Sequence, residues 1–264
     1  MIFLRSVDVN IPDALQDRYP FDVTSRLITH GLEFTAPVTF FVGENGTGKS
    51  TILEAIAAAV SLPAIGGEPV DYDETLVDAR RLGKHMKLVW NRRSLRGFFM
   101  RSEDFFNFTR RVRHLTQELA QDVEEMEEYL TGYGLELARG SLLGQRQALI
   151  DKYGPNLQAN SHGEAILQVL TQRLVPEGIY LLDEPETPFS PQRELALLSL
   201  IKQMVEEGCQ FIIATHSPIL LAFPGAVIYS FDENPAAVCA YEDLEHVKLT
   251  RDFLNRPEAF LRWL

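Results

Sequence analysis

The chain has 264 residues, 45% of them hydrophobic and 23% charged, enough to bury a sizeable core in one α/β domain with an insertion or in two small domains. Its net charge of −12 makes the molecule as a whole a poor non-specific binder of DNA. No apolar run reaches the roughly 18 residues of a membrane helix, so no membrane insertion is expected. Cys209 and Cys239 offer neither a disulfide framework nor a metal-ligand spacing. The first residues, MIFLRSVDVN, lack the layout of a secretory leader, and the expected compartment is the cytoplasm.

Taken in chain order, the hydrophobic pattern predicts strands over Ile2–Val7, Leu27–Phe34 and Val38–Val42. A helix follows from about Gly48, where TILEAIAAAV is Ala-rich with Ile52, Ile56 and Val60 at helical spacing. Pro63, Gly66, Gly67 and Pro69 break it. Lys87–Trp90 and Gly97–Met100 read as strands, and Thr109 to about Leu130 as a helix with a partial apolar stripe. Gly132, Gly134, Gly140 and Gly144 punctuate the stretch beyond it. Then come a helix over Gly163–Leu174, a strand over Gly178–Leu182, a helix over Pro191–Glu207 and a strand over Gln210–Ala214. A helix from Ser217, a strand over Val227–Phe231 and a helical C-terminal part from His246 complete the pattern. Strands alternate with helices on both sides of the middle, which predicts an α/β fold with a mainly parallel, covered sheet. The expected organisation is a nucleotide-binding core from 1–100 and 161–264, with a helical insertion over 101–160.

The run Gly43-Glu44-Asn45-Gly46-Thr47-Gly48-Lys49-Ser50 fits G-x-x-x-x-G-K-[ST] without departure. Glycines let the backbone approach phosphates, and successive N–H groups and the helix start face the negative charge. Lys49 is placed to reach the β- and γ-phosphates of ATP, the Ser50 hydroxyl to ligate Mg²⁺, and Thr51 follows in the first turn. Further on, Ile179-Tyr-Leu-Leu-Asp183-Glu184-Pro185-Glu186 is an apolar strand ending in carboxylates. The carboxyl end of a parallel strand is where ligands bind. Asp183 is expected in the Mg²⁺ shell, and Glu184 is expected to polarise the attacking water. Phe211-Ile-Ile-Ala-Thr-His216-Ser217-Pro218 ends the same way, and His216 is placed to meet the γ-phosphate.

The set GENGTGKS, LLDEPE and ATHSP resembles the ATP-binding-cassette superfamily, as its Walker A, Walker B and switch-histidine segments. Among its members the chain looks most like the small stand-alone bacterial ATPases labelled AAA-family, relatives of the RecF and structural-maintenance-of-chromosomes ATPases. The segment Ser161-His162-Gly163-Glu164-Ala165 stands where that superfamily carries its signature. The resemblance implies that Ser161, His162 and Gly163 meet the γ-phosphate of ATP held by another copy, in an ATP-dependent homodimer. It also implies an ATPase of a DNA-maintenance or defence context, with the energising subunit of a membrane transporter and a slow nucleotide switch as alternatives. A metal-binding glutamine expected after Phe98–Met100 is missing, and Arg101 or Glu103 stands in its place. Tyr19 and Phe21 are candidates to stack on adenine, with a core role as the alternative.

Arg92, Arg93, Arg96, Arg101, Arg110, Arg111 and Arg113 crowd one segment, interleaved with Trp90, Phe98, Phe99, Phe105, Phe106 and Phe108. They read as a nucleic-acid or effector contact, as partners for the following glutamates, or as lining of a nucleotide site across a dimer. Glu118–Glu128 reads as a solvated helix face.

Overall fold

The computed structural model describes residues 1–65, 74–153 and 162–262. In chain order the elements are β1 (Leu4–Val9), α1 (Phe21–Leu27), β2 (Leu32–Glu33), β3 (Val38–Val42), α2 (Lys49–Val60), α3 (Val77–Gly83), β4 (Met86–Trp90) and β5 (Gly97–Arg101). Two long helices follow, α4 (Ser102–Tyr129) and α5 (Tyr133–Tyr153), then α6 (His162–Arg173), β6 (Ile179–Asp183), α7 (Pro191–Glu206) and β7 (Gln210–Ala214). The chain closes with α8 (Pro218–Leu221), β8 (Val227–Ser230), β9 (Ala237–Cys239), α9 (Glu245–Asn255) and α10 (Pro257–Leu261).

The main sheet has the order β5-β6-β7-β3-β8-β9. Its first five strands run parallel and β9 is antiparallel. β3, β6 and β7 are buried at every position, as expected where both faces of a parallel sheet are covered. Strand alternation divides their side chains. Phe40, Tyr180, Leu182, Phe211 and Ile213 pack with Val169 and Leu170 of α6 and Leu197 and Ile201 of α7. Phe41, Leu181, Ile212 and Phe99 pack on the other face with Ile52, Leu53 and Ile56 of α2. A small antiparallel sheet, β2-β1-β4, lies over that second face. The buried Gln210 staples it down: its side chain accepts from the N–H groups of Phe3 (2.8 Å) and Leu4 (2.9 Å) and donates to the Leu4 carbonyl (2.9 Å).

The sequence expectation fails over 27–34. Leu27–Phe34 is not one strand: α1 ends at Leu27, and only Leu32–Glu33 pairs with β1. The stretch punctuated by glycines is the helix α5, with Gly134, Gly140 and Gly144 inside it. A Cβ at any of the three would meet nothing within 4 Å, so they lie on open helix surface. There glycine costs only about 1 kcal/mol of propensity and does not stop a helix supported along its length. The breakers Gly66, Gly67 and Pro69 lie outside the described residues.

Candidate functional site

All the chemistry gathers at the carboxyl edge of the main sheet. β3 ends in the loop 43–48, β6 in Asp183 and Glu184, β7 in Thr215 and His216, and β8 in Ser230, Phe231 and Asp232. The loop after β3 turns through Gly43, Gly46 and Gly48 at φ of 152°, 85° and 99°. At Gly48 a Cβ would lie 2.7 Å from the Val23 side chain and 3.0 Å from Leu27. Only glycine fits there, in the left-handed region and pressed on α1. A cavity of about 210 Å³ opens over this loop, lined by Tyr19, Asn45, Gly46, Lys49, Thr51 and Glu184 among others.

Lys49 is folded into the loop itself. Its Nζ donates to the carbonyls of Gly43 (2.6 Å) and Glu44 (2.8 Å). Burial lowers its pKa, against the pull of Glu184, Asp232, Asp183 and Glu186. The Ser50 hydroxyl donates to Asp183 Oδ1 at 3.1 Å. Burial pushes the Asp183 carboxyl up to about 7, while the Ser50 hydrogen bond works the other way. A hydroxyl and a carboxylate held together are hard oxygen donors of the kind Mg²⁺ takes. Among the described residues no cluster of three or more His, Cys, Asp or Glu forms a metal cage. A metal at this edge would therefore complete its shell from nucleotide and water.

Glu184 sits at φ 46°, a left-handed conformation rare outside glycine. Its side chain lies 3.6 Å from His216 Nε2. His216 has its pKa lowered by burial and by Lys49, so a neutral imidazole faces Glu184. The sequence reading missed two more acids at this edge. Asp232 accepts the Glu44 N–H at 2.7 Å and so fixes the start of the phosphate loop. Glu186 accepts the His216 backbone N–H at 2.7 Å. An isolated Asp in FDENP and the last acid of DEPE carry no spacing signal; only the sheet edge makes them neighbours of Lys49 and His216.

The remaining candidates fall elsewhere. Ser161 lies outside the described residues, and the His162 side chain is likewise not described. Gly163 opens α6 against the segment Thr187-Pro188-Phe189, where its Cβ would come 2.8 Å from the Pro188 carbonyl oxygen. Phe21 is only 1% exposed and packs edge-on to His85, so of the two aromatics only Tyr19, 3.3 Å from the Thr51 hydroxyl, borders the cavity. Arg101 is buried, held by Asp104 (2.7 and 2.9 Å) and Thr75 (2.9 Å), with Glu54 at 3.7 Å. A guanidinium has no lone pair to give a metal, so it does not replace the missing glutamine as a ligand.

Residues 72–222, more than half of the chain, match the family described as "AAA domain, putative AbiEii toxin, Type IV TA system". The chain belongs to the AAA-domain ATPases. This AAA-domain ATPase matches a second AAA-domain family over residues 28–69. It is 26% identical over 242 residues to the cobalt import ATP-binding protein CbiO of Salmonella paratyphi A, covering 84% of the chain and 81% of that relative. To the energy-coupling factor transporter ATP-binding protein EcfA2 of Streptococcus thermophilus it is 29% identical over 180 residues, covering 67% of the chain and 60% of the relative. Solved structures it resembles include cbiO1 of Clostridium perfringens (17% identity, TM-score 0.44, all of both chains). Another is the Smc head domain of Pyrococcus furiosus (13% identity, TM-score 0.45, 96% of this chain and 100% of that one). At these values nothing further follows from the structural likeness. With its phosphate loop, carboxylate strand and cassette relatives, the AAA-domain ATPase has the P-loop fold of the ATP-binding-cassette kind and is an ATP-hydrolysing enzyme.

These findings correct the partner expectation. Nucleic acid or an effector protein stood among the expected partners, in a DNA-maintenance or defence context ranked ahead of a membrane transporter, whereas the curated relatives are named as ATP-binding proteins of import and transport systems. The structure also takes part of that segment out of reach of a nucleic acid. Phe98, Phe99 and Phe108 are buried and cannot stack on bases. Arg92 pairs with Glu177 at 3.5 Å, Arg96 donates to the Pro176 carbonyl at 3.2 Å, and Arg101 is internal. These three arginines are engaged within the chain.

Proposed function

We propose that this ATPase binds ATP with Mg²⁺ at the loop Gly43–Ser50, hydrolyses it through Glu184, and works as the nucleotide-binding subunit of a transport-type assembly. One observation carries the reading: a single sheet edge holds Lys49, the Ser50–Asp183 pair at 3.1 Å and the Glu184–His216 pair at 3.6 Å. Lys49 exchanges the carbonyls of Gly43 and Glu44 for phosphate oxygens. Ser50 and Asp183 would hold Mg²⁺, which would supply neutralisation of the phosphate charge. Glu184 orients and polarises a water in line with the γ-phosphate, and the neutral His216 offers a hydrogen bond to the phosphoryl oxygens. The family resemblance supports closure of the cavity by a second nucleotide-binding subunit, with Ser161, His162 and Gly163 as its contribution. The relatives' names support a partner in the membrane; no helix among the described residues is long and apolar enough to cross one.

The test is Glu184→Gln. Phosphate release should fall by about 100-fold or more, within the range a general base contributes, with ATP still bound and the protein shifted to a larger species in ATP and Mg²⁺. Undiminished turnover would remove Glu184 from the chemistry. Stimulation of the wild type by DNA, with no membrane protein co-purifying in detergent, would overturn the transport reading.

A further inference from the structure

The loop that carries His216 is pinned from two sides. β7 ends at Ala214, and the last rung of its ladder with β3 is the Thr215 N–H on the Phe41 carbonyl at 3.1 Å. The next amide, that of His216, is the first beyond the sheet, and a buried amide without a partner costs about 1–3 kcal/mol. It is satisfied by a side chain from the neighbouring strand end: Glu186 Oε1 at 2.7 Å. Burial raises the pKa of Glu186, with the neighbouring Thr215 side chain working the other way. The Thr215 hydroxyl in turn accepts the Ser217 N–H at 3.0 Å. On the far side Glu194 of α7 takes the Ser217 hydroxyl, which caps α8 by accepting from Ile219 and Leu220 at 3.2 and 3.1 Å. His216 is thus held at its backbone between a clamp on Thr215 and a clamp on Ser217, with its imidazole 3.6 Å from Glu184.

Glu186 and Glu184 stand two residues apart and do different things. Glu184 lines the cavity. Glu186 has Oε1 committed to an amide, and its Oε2 is buried with no hydrogen-bond partner among the described residues. An oxygen that solvent does not reach cannot take a proton from an attacking water.

We propose that Glu186 is a positioning residue for hydrolysis, an acceptor that ties the carboxylate turn to the switch loop and keeps the His216 imidazole beside Glu184. The inference rests on the hydrolytic reading given above. Its requirement is for an acceptor of the right length, not for a charge. Glu186→Gln therefore preserves function, whereas Glu184→Gln lowers turnover by about 100-fold or more.

The experiment compares Glu186→Gln, Glu186→Ala and Glu184→Gln in the full chain, by steady-state ATPase kinetics, direct ATP binding and amide hydrogen exchange at His216. For Glu186→Ala, kcat should fall about 10- to 100-fold, the scale of a lost buried hydrogen bond to a charged acceptor. ATP affinity should stay within about threefold, and His216 amide exchange should accelerate. For Glu186→Gln, kcat and exchange should stay within about threefold of wild type. In a His216→Ala background, Glu186→Ala should cost less than about threefold more, because the two act as one unit. If Glu186→Ala does not fold, Glu186→Asp, one methylene shorter, takes its place. The proposal is overturned if the Gln variant loses as much as the Ala variant, if Ala (or Asp) turns over at the wild-type rate, or if the double variant multiplies the losses. A wild type that protects the His216 amide through Glu186 yet does not hydrolyse ATP leaves the clamp standing and removes the hydrolytic reading.

Discussion

The sheet edge and the helical hairpin of α4 and α5 solve opposite problems. At the edge, charged groups are taken out of water: Lys49 is 4% exposed and Asp183 8%. Lys49 donates to the Gly43 carbonyl of its own loop, and Asp183 accepts from the Ser50 hydroxyl at the start of α2. At the hairpin's far end, apolar groups are left in water: Tyr129 is 83% exposed, Tyr133 79% and Leu137 65%. The edge is specified by polar partners, whose loss leaves a buried group unpaired. The hairpin tip is specified by helical propensity and a narrow seam, and its exposed side chains contribute little to the fold.

Substitutions should separate the two regions. The largest effect belongs to Lys49→Ala, which should weaken ATP binding by at least about 100-fold, or roughly 2.7 kcal/mol, in an equilibrium titration. Binding at wild-type strength would show that the loop does not hold the phosphates. An intermediate effect is expected for Gly163→Ala, whose Cβ would press on the Pro188 carbonyl at 2.8 Å. Overpacking against backbone costs about 1–3 kcal/mol, to be read as a lower thermal midpoint. No shift would mean that α6 and the 187–189 segment move apart freely. The smallest belongs to Tyr133→Ser and Leu137→Ser, each within about 0.5 kcal/mol of wild type in urea unfolding. A larger loss would place the tip in a contact that the isolated chain does not make.

Much of this comparison is visible in the sequence, and unevenly so. β3, β6 and β7 are continuous apolar runs that stop at Gly43, Asp183 and His216. Burial on both faces leaves that trace, so the parallel sheet and its reactive edge could be read from composition alone. α1 and β2 could not: Leu27–Phe34 carries strand-like apolar residues, but the packing of Phe21 against Ala55 of α2 and Leu82 of α3 sets the local path. α5 was expected only as part of a helical insertion, and its bounds were blurred because its glycines face open solvent, where the fold tolerates a breaker. Glu186 and Asp232 were hidden for another reason. Their partners, His216 and Glu44, lie 30 and 188 residues away, and no local pattern records a contact between strand ends.

The order of the strands also constrains how the molecule is made. β3 is the fourth strand across the main sheet, and both of its neighbours, β7 and β8, come from residues 210–230. Phe3 and Leu4 reach their staple only at Gln210. During synthesis the phosphate loop therefore emerges early, on a strand whose two edges stay unpaired until most of the chain has been translated. Long-range pairing of this kind folds slowly and leaves exposed strand edges in the meantime. Until β7 and β8 have been made, the complete Walker A segment stands on a strand with no sheet to hold it.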